Sequence, residues 1–258
     1  MQLRTLLLNV RPDPAARAAR EAALRRRVLA ESPNLRRPDF ARLTPADLTY
    51  VFQRYDAEVF GGALQTTLAS PRGGPLDLRV SARMTRAGGL TRRGLRRTFG
   101  KVEQRFEISL SAPLLFGTFC DDPRPITVVG RLCNDRLDAL LRIFEHELLH
   151  LCEYLVFGES NCNASRFAQL AHDLFGHTEA THRLITPRER AHLDHGIGVG
   201  DVVDFQFEGQ RLRGRVNRIT KRATVLVEST RGRRYSDGGC YEKYYVPLEA
   251  LSRATPGS

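Results

Sequence analysis

Two histidines and a glutamate carry the clearest chemical signal in this sequence. They form the segment His146-Glu147-Leu148-Leu149-His150. Residues four apart on an α-helix lie on the same face, so the two imidazoles converge on one point. Neutral imidazoles suit Zn²⁺, and a glutamate beside the first histidine can reach a zinc-bound water. The spacing therefore predicts a zinc site formed by His146 and His150, in which Glu147 is the general base that activates the water.

A zinc site of this kind needs a third protein ligand, for which the sequence offers several candidates. Cys162 lies in the turn GESNCN that follows the motif, where the chain can fold back over the metal. A thiolate is the best zinc ligand among the residues of this turn, so Cys162 is the leading candidate. The alternatives are His177, His182 and Asn163.

The motif lies in a segment whose pattern predicts a long buried helix. Residues 136–157 contain no Gly or Pro, and their apolar side chains wrap most of the way round a helix. A second helix is predicted over residues 164–175. Glu153 shares the helix face of His146, and we expect it to orient a neighbouring side chain rather than to bind the metal.

Upstream of the motif the pattern predicts one helix and two strands. Thr44, Pro45 and Asp47 form a helix-start signal with a capping box. Alternating apolar residues predict strands near 76–80 and 102–110, and the second is our candidate for an edge that aligns a substrate backbone. The basic, glycine-containing segment between them, residues 85–100, is expected to form a hairpin or a mobile loop.

The pattern of apolar and polar residues changes after Gly198. Short runs of alternating apolar residues predict a small all-β barrel, which resembles Tudor- or KOW-type modules. The predicted class is therefore α+β. The predicted domains are an Arg-rich, partly helical N-terminal extension with a peripheral helix (1–42), a domain that contains the HELLH motif (43–195), the barrel (196–250) and a flexible tail (251–258).

Composition limits the range of functions. The 258 residues are 41% hydrophobic, which permits a real core and excludes wholesale disorder. No apolar run approaches the ~18 residues of a membrane span. Five Cys without a tight pairing pattern favour a protein of the reducing cytoplasm over a disulfide framework. The formal net charge of +11 favours acidic partners, nucleic acid first, although 37 Arg against 3 Lys also suits an arginine-leaning genome.

The predicted barrel contains a basic stretch, RLRGRVNRITKRATVLV, close to several tyrosines. Arginines can bind a phosphate backbone while aromatic rings stack on bases. The candidate contacts with DNA or RNA are Arg213, Arg215, Arg218, Lys221 and Arg222. The alternative is a barrel whose tyrosines are core residues and whose arginines are merely solvated.

Segments around the motif point to one peptidase family. In chain order they are RYDAEVFGGAL, SARMTRAGGLTRR, FEISLSAPLL, HELLH and ATHRL, between about residues 43 and 182. HExxH alone occurs in many peptidase families, but in this order the segments resemble the SprT/Spartan group of zinc metallopeptidases. The resemblance implies a zincin-like endopeptidase that cleaves proteins bound or crosslinked to DNA. It also implies that His146 and His150 hold the zinc and that Glu147 is the general base.

The chain departs from the pattern of that family after the motif. The family usually has a third histidine thirteen residues after the second one, and an aromatic residue four positions later. Here Asn163 occupies the histidine position beside Cys162, whereas Phe167 keeps the aromatic position. The family's C-terminal zinc ribbon is replaced by the predicted barrel. A catalytically inactive nucleic-acid-binding protein with a metal-stabilised core is therefore the alternative function, and a protein-binding adaptor is a third.

Overall fold

The computed structural model describes residues 2–11, 13–98 and 101–254, which form a mixed α+β protein. The predicted α+β class is confirmed. The chain divides into two compact units, residues 1–184 and 185–258. This division precedes the boundary at residue 195 that the sequence suggested, because helix Pro187–His195 packs its Ala191 into the core of the second unit.

The first unit contains seven helices and five strands among its described residues. The helices are α1 (Leu3–Asn9), α2 (Pro14–Glu31), α3 (Pro45–Glu58), α4 (Ala63–Leu68), α5 (Ala112–Phe116), α6 (Arg136–Phe157) and α7 (Ser165–Phe175). The strands are β1 (Leu76–Ser81), β2 (Gly89–Thr98), β3 (Lys101–Ser111), β4 (Ile126–Val128) and β5 (Arg131–Cys133).

The N-terminal segment is an integral part of the first unit rather than a peripheral extension. Helix α2 has a narrow apolar face, and its residues Leu24 and Val28 are buried in the first unit. Between these two residues, Arg25 binds the carboxylates of Asp135 and Asp138 at the start of α6, at 2.6 and 2.7 Å. At least one arginine of this helix therefore forms ion pairs within the first unit, which argues against a merely peripheral helix in residues 1–42.

Strand β3 lies in the centre of the three-stranded sheet, whose order is β1-β3-β2. It pairs in parallel with β1 and in antiparallel with β2. The edge strand predicted within residues 102–110 is therefore wrong. The sheet edge on that side is β2. The segment expected to form a hairpin or a mobile loop supplies the ten residues of this strand, which pairs in antiparallel with the following strand β3 as one arm of a hairpin. Phe106, Ile108 and Leu110, which share one face of β3, are fully buried in the core.

Helix α6 contains a buried ionic network beside the predicted metal ligands. The carboxylate of Glu145 accepts hydrogen bonds from Arg142, His177 and the hydroxyl of Tyr55, at 2.8 to 3.0 Å. Burial raises the pKa of Glu145, but its partners outweigh burial and lower it to about 2. Arg142 also binds Glu21 of α2 at 2.7 Å, so the network ties the N-terminal helix to α6.

The second unit is built on a five-stranded antiparallel sheet of order β10-β6-β7-β8-β9. Its elements are α8 (Pro187–His195), β6 (Val202–Phe207), β7 (Gln210–Ile219), β8 (Ala223–Arg234), β9 (Cys240–Val246), a 3₁₀ turn (Leu248–Ala250) and β10 (Ser252–Arg253). Strand β10 pairs with β6, so residues 252–253 belong to the sheet and not to a flexible tail. Residues 255–258 lie outside the described residues.

No helix within residues 2–11, 13–98 and 101–254 combines the length and the apolar character needed to cross a membrane.

The predicted capping box of α3 is present and unusually well connected. The fully buried carboxylate of Asp47 accepts hydrogen bonds from the backbone N–H groups of Thr44 and Asn34 and from the side chains of Ser32, Asn34 and Thr44. Burial raises the pKa of Asp47, but these donors outweigh it, so the pKa lies below its ordinary value. The ionised carboxylate therefore stabilises the junction between α2 and α3.

We predict that Asp47→Ala lowers the free energy of unfolding by about 3 kcal/mol at pH 7, because hydrogen bonds to charged groups are worth about 1.5–3 kcal/mol each and are not additive. Asp13→Ala is the matched control, since Asp13 caps α2 through a single bond, and it should cost about 1 kcal/mol. Because the folded pKa is depressed, the contribution is present above the unfolded pKa and is lost as the pH falls. Urea unfolding at several pH values measures both effects, and equal losses in the two variants would contradict them.

Candidate metal centre

Helix α6 brings the two histidines of the motif together. It begins at the N-cap Asp135 and runs without interruption to Gly158, where a φ of 80° ends it in the left-handed region. His146 and His150 lie one turn apart, and their Nε2 atoms are 3.2 Å apart. Two zinc–nitrogen bonds of about 2.0–2.1 Å at a tetrahedral angle place their nitrogens about 3.4 Å apart. The spacing of the imidazoles therefore fits a shared zinc ion.

Cys162 completes a group of three donors in the described part of the chain. The left-handed Gly158 reverses the chain, and the turn carries Cys162 back before α7 begins at Ser165. One donor atom each from His146, His150 and Cys162 lie within 4.8 Å of one another. Two imidazoles and a thiolate form a donor set that suits zinc.

Both imidazoles are held in the neutral form that metal binding requires. Burial lowers the pKa of His146 to about 3, with a smaller contribution from the positive charges that His150, His177 and His182 would carry. Burial also lowers the pKa of His150, against the opposing charge of Glu153. Phe167 packs against both motif rings, with centroid distances of 5.0 and 4.7 Å, and so excludes water from one side of the pair.

A chain of hydrogen bonds orients His150. Its Nδ1 lies 2.7 Å from Oγ of Ser160, and the Ser160 hydroxyl donates to Glu153 at 2.8 Å. The other oxygen of Glu153 accepts from Nε of Arg166 at 2.7 Å. In the tautomer in which Nδ1 of His150 carries the proton and donates it to Ser160, the lone pair on Nε2 of His150 points to the proposed metal. Glu153 therefore orients a neighbour, as expected, but it acts through Ser160 in the turn.

Glu147 lies buried beside the imidazoles. Its Oε2 accepts a hydrogen bond of 2.7 Å from the hydroxyl of Thr91 on β2, which also contacts the Glu147 backbone oxygen at 3.0 Å. Burial raises the pKa of Glu147 to about 7, and the bonds from Thr91 oppose this rise. A Cβ at Gly89 would lie 2.5 Å from Oε1 of Glu147, so a glycine is needed for β2 to approach this closely.

A pocket of about 140 Å³ opens beside the motif. Its lining combines His146 and Glu147 with Gly88, Val129, Ile143 and other small or apolar residues. The start of the edge strand β2 forms one wall of this pocket, because Ala87, Gly88 and Gly89 belong to the lining. An extended chain could therefore pair with β2 and enter the pocket.

The remaining third-ligand candidates lie outside the group of three donors. Asn163 is exposed. His177 is buried, but its Nε2 binds Glu145 at 3.0 Å and its ring stacks on Phe175. His182 lines the pocket, and its Nε2 lies 3.1 Å from the backbone oxygen of Arg86.

Sequence reasoning missed Thr91 and Ser160. Neither residue type at its position signals a role, because Thr91 meets Glu147 only through the packing of distant segments and Ser160 meets Glu153 and His150 only through the chain reversal after α6. Phe167 was noted for its position in the family pattern, and its contacts with the motif rings supply the physical reason.

The predicted nucleic-acid contacts of the second unit fall into two groups. Arg213 binds the carboxylate of Asp204 at 2.8 Å. The other members, Arg215, Arg218, Lys221 and Arg222, have exposed side chains. The structure therefore does not present all five as equivalent cationic contacts.

Comparisons with known proteins assign no family to this chain. No protein-family model, curated protein or solved structure matches it. The role of the centre therefore has to follow from its own residues.

We predict that Cys162→Ala weakens zinc binding by more than about 100-fold, because even outer hydrogen-bond partners of metal ligands are worth 10–100-fold. Asn163→Ala is the matched control and should bind zinc as the wild type does, since Asn163 is exposed. Elemental analysis and competition with a chelator measure the affinity. Loss of zinc in Asn163→Ala, with retention in Cys162→Ala, would contradict the assignment of Cys162.

We also predict that Ser160→Ala weakens zinc binding by about 10–100-fold, because the hydrogen-bond chain from Glu153 to His150 is broken. Glu159→Gln is the control, since the neighbouring Glu159 side chain is 80% exposed. The same chelator competition measures both variants. Equal zinc affinity in Ser160→Ala and the wild type would show that the chain does not orient His150.

Proposed function

We propose that the protein is a zinc-dependent endopeptidase of the SprT-like type that acts on DNA-associated or otherwise nucleic-acid-bound proteins. One observation supports it above the others. A buried carboxylate, Glu147, lies next to two neutral imidazoles whose Nε2 atoms are 3.2 Å apart, with the thiol of Cys162 in the same group. This combination of ligands and base suits metal-assisted hydrolysis of a peptide bond.

Each residue of the centre has a defined part in this proposal. His146, His150 and Cys162 would hold the zinc, which, when bound, polarises the scissile carbonyl and makes a water more acidic. Glu147 accepts the proton of the attacking water and returns it to the leaving amine. A pKa near 7 suits a group that must both take up and release a proton at neutral pH. Thr91 holds the carboxylate in place through its hydroxyl.

The edge strand β2 is the proposed site for the substrate backbone. It is unpaired on its outer side in the described sheet and begins at the pocket wall. Pairing through main-chain hydrogen bonds tolerates many side chains, which suits an enzyme of low sequence specificity. A zincin-like arrangement, with the motif helix under an edge strand, is the finer fold assignment that we propose for the first unit.

The second unit is proposed to be a small β-barrel of Tudor or KOW type that recruits nucleic acid or a nucleoprotein. Its support is a single antiparallel sheet of five strands around one small apolar core, in which the last strand β10 returns to pair with β6. The net charge of +11 supports an acidic partner. A cytoplasmic location belongs to the same proposal.

The alternative function is a nucleic-acid-binding protein whose metal stabilises the core without catalysis. The observation that favours it is Asn163 at the position where the resembled family has its third histidine. It predicts retained zinc without hydrolysis of any protein. The two functions therefore differ in turnover and agree in metal content.

We predict that Glu147→Gln keeps zinc but cleaves protein about 10²–10⁴-fold more slowly, because a general base contributes about that factor. The substrates are fluorescein-labelled casein and a small protein crosslinked to an oligonucleotide, each incubated with the zinc-loaded chain. Glu159→Gln is the control, because its side chain is exposed and should leave the rate unchanged.

Two results would overturn the peptidase proposal. One is equal cleavage by Glu147→Gln and the wild type, which would remove Glu147 from the reaction. The other is a zinc-loaded wild type that cleaves neither substrate, which would leave the non-catalytic alternative.

A further inference from the structure

The sheet of the second unit has one buried face and one face turned to solvent. Alternate residues of β6, β7, β8 and β9 point inward, and the core includes Val203, Phe205, Val216, Val225 and Val246. The residues between them form the outer face. Cross-strand register places two rows side by side on this face.

The two rows are basic and contain no acidic residue. The first row runs Arg218, Thr224 and Tyr245 across β7, β8 and β9. The second runs Val202, Arg215, Leu226 and Lys243 across β6 to β9. We call these two rows the basic face. Lys221 and Arg222 lie in the turn beside the first row and add two exposed cations.

The cations of the basic face have no carboxylate partner, unlike the arginines further along β7. Arg215, Arg218 and Lys243 form no ion pair with any residue in the described part of the chain. Arg211 and Arg213, by contrast, both bind Asp204 at 2.8 Å. An exposed cation without a partner attracts a phosphate more strongly than one already neutralised by a carboxylate.

Tyr245 is the exposed aromatic side chain of the basic face, at the β9 end of the first row and two residues from Lys243. It is 65% exposed, the highest value among the large hydrophobic side chains of the described residues. The neighbouring tyrosines are engaged: the hydroxyl of Tyr244 binds Glu242 and its ring packs on Phe205, whereas Tyr241 binds Asp237. The ring of Tyr245 is therefore free to contact a ligand, and it lies on the same face as cations that have no carboxylate partner.

We infer that the basic face binds single-stranded nucleic acid, with a base stacked on Tyr245 and the phosphates held by Arg215, Arg218 and Lys243. An unpaired base can lie flat on a tyrosine ring, and such stacking tolerates any base sequence. The bases of a duplex are already stacked on one another, so a ring on a sheet surface cannot reach them without unstacking. The combination of a free ring and free cations therefore selects single strands over duplexes.

This inference deepens the proposed recruitment of nucleic acid by the second unit, on which it rests, and it does not depend on the peptidase activity. All of its residues lie in the second unit, and binding is measured without turnover. A failure of the peptidase proposal would leave the basic face unaffected, and the reverse also holds.

The test is fluorescence anisotropy of the full chain with a labelled 20-nucleotide oligodeoxythymidine and with a labelled duplex of the same length. We expect the single strand to bind more tightly, with a salt slope of about −2 from three phosphate contacts at −0.7 each. Tyr245→Ala should weaken single-strand binding by about 5–150-fold, and Tyr245→Phe should restore it, since one stacked base is worth that factor.

Matched arginine variants test the phosphate contacts. Arg218→Ala should weaken binding and reduce the salt slope by about 0.7, because one phosphate contact is lost. Arg211→Ala is the control, since Arg211 already binds Asp204, and it should have a much smaller effect. Thermal unfolding followed by circular dichroism should be unchanged in Tyr245→Ala, which shows that the variant folds.

Three results would overturn the inference. Equal binding of the duplex and the single strand would remove the selectivity. Salt-dependent binding that Tyr245→Ala leaves unchanged would reduce the face to phosphate attraction alone. Binding of a polyglutamate peptide instead of the oligonucleotide would identify an acidic protein as the partner.

Discussion

Three buried carboxylates on helix α6 determine which elements must surround it. Glu145, Glu147 and Glu153 are each at most 4% exposed. An ionised or polar group is costly to bury unless it finds partners, so each carboxylate requires donors from another segment. Glu145 takes them from Tyr55 and His177, Glu147 from Thr91, and Glu153 from Ser160 and Arg166. These hydrogen bonds hold four segments against α6. They are helix α3, the segment after α7, strand β2 and the turn before α7.

The same arrangement produces the chemistry of the candidate centre. Burial keeps the two imidazoles of α6 neutral and raises the pKa of Glu147 to about 7. The partner of Glu153 then orients His150, and the turn that supplies this partner also carries Cys162. Stability and reactivity therefore come from the same set of contacts. Loss of one donor is expected to affect the metal site before it affects the fold, because the helix itself is held by its apolar residues.

The second unit is held together by the apolar packing of its core. Its core is a small set of apolar side chains on one face of an antiparallel sheet, and the residues of the basic face lie on the opposite face. Asp204 neutralises two arginines at one end of this face, whereas Arg215, Arg218 and Lys243 remain available. The proposed nucleic-acid contact is thus a property of strand register. A shift of β7 by one residue would turn Arg215 and Arg218 toward the core.

Local patterns in the sequence were sufficient to predict helices α3, α6 and α7. They also predicted the capping box of Asp47 and the convergence of His146 and His150. These features depend on residues within a few positions of one another, and a helix repeats every 3.6 residues whatever surrounds it. The sequence did not determine that β3 is central and β2 is the edge, because alternation identifies a strand but not its neighbours.

Tertiary structure alone decided the contact of Thr91 with Glu147, the chain from Glu153 through Ser160 to His150, and the position of Tyr245 on the same face as free cations. Each of these joins segments that are separated along the chain or lie on different strands. Only folding brings such groups within hydrogen-bond distance or onto one face, and no local pattern encodes that proximity.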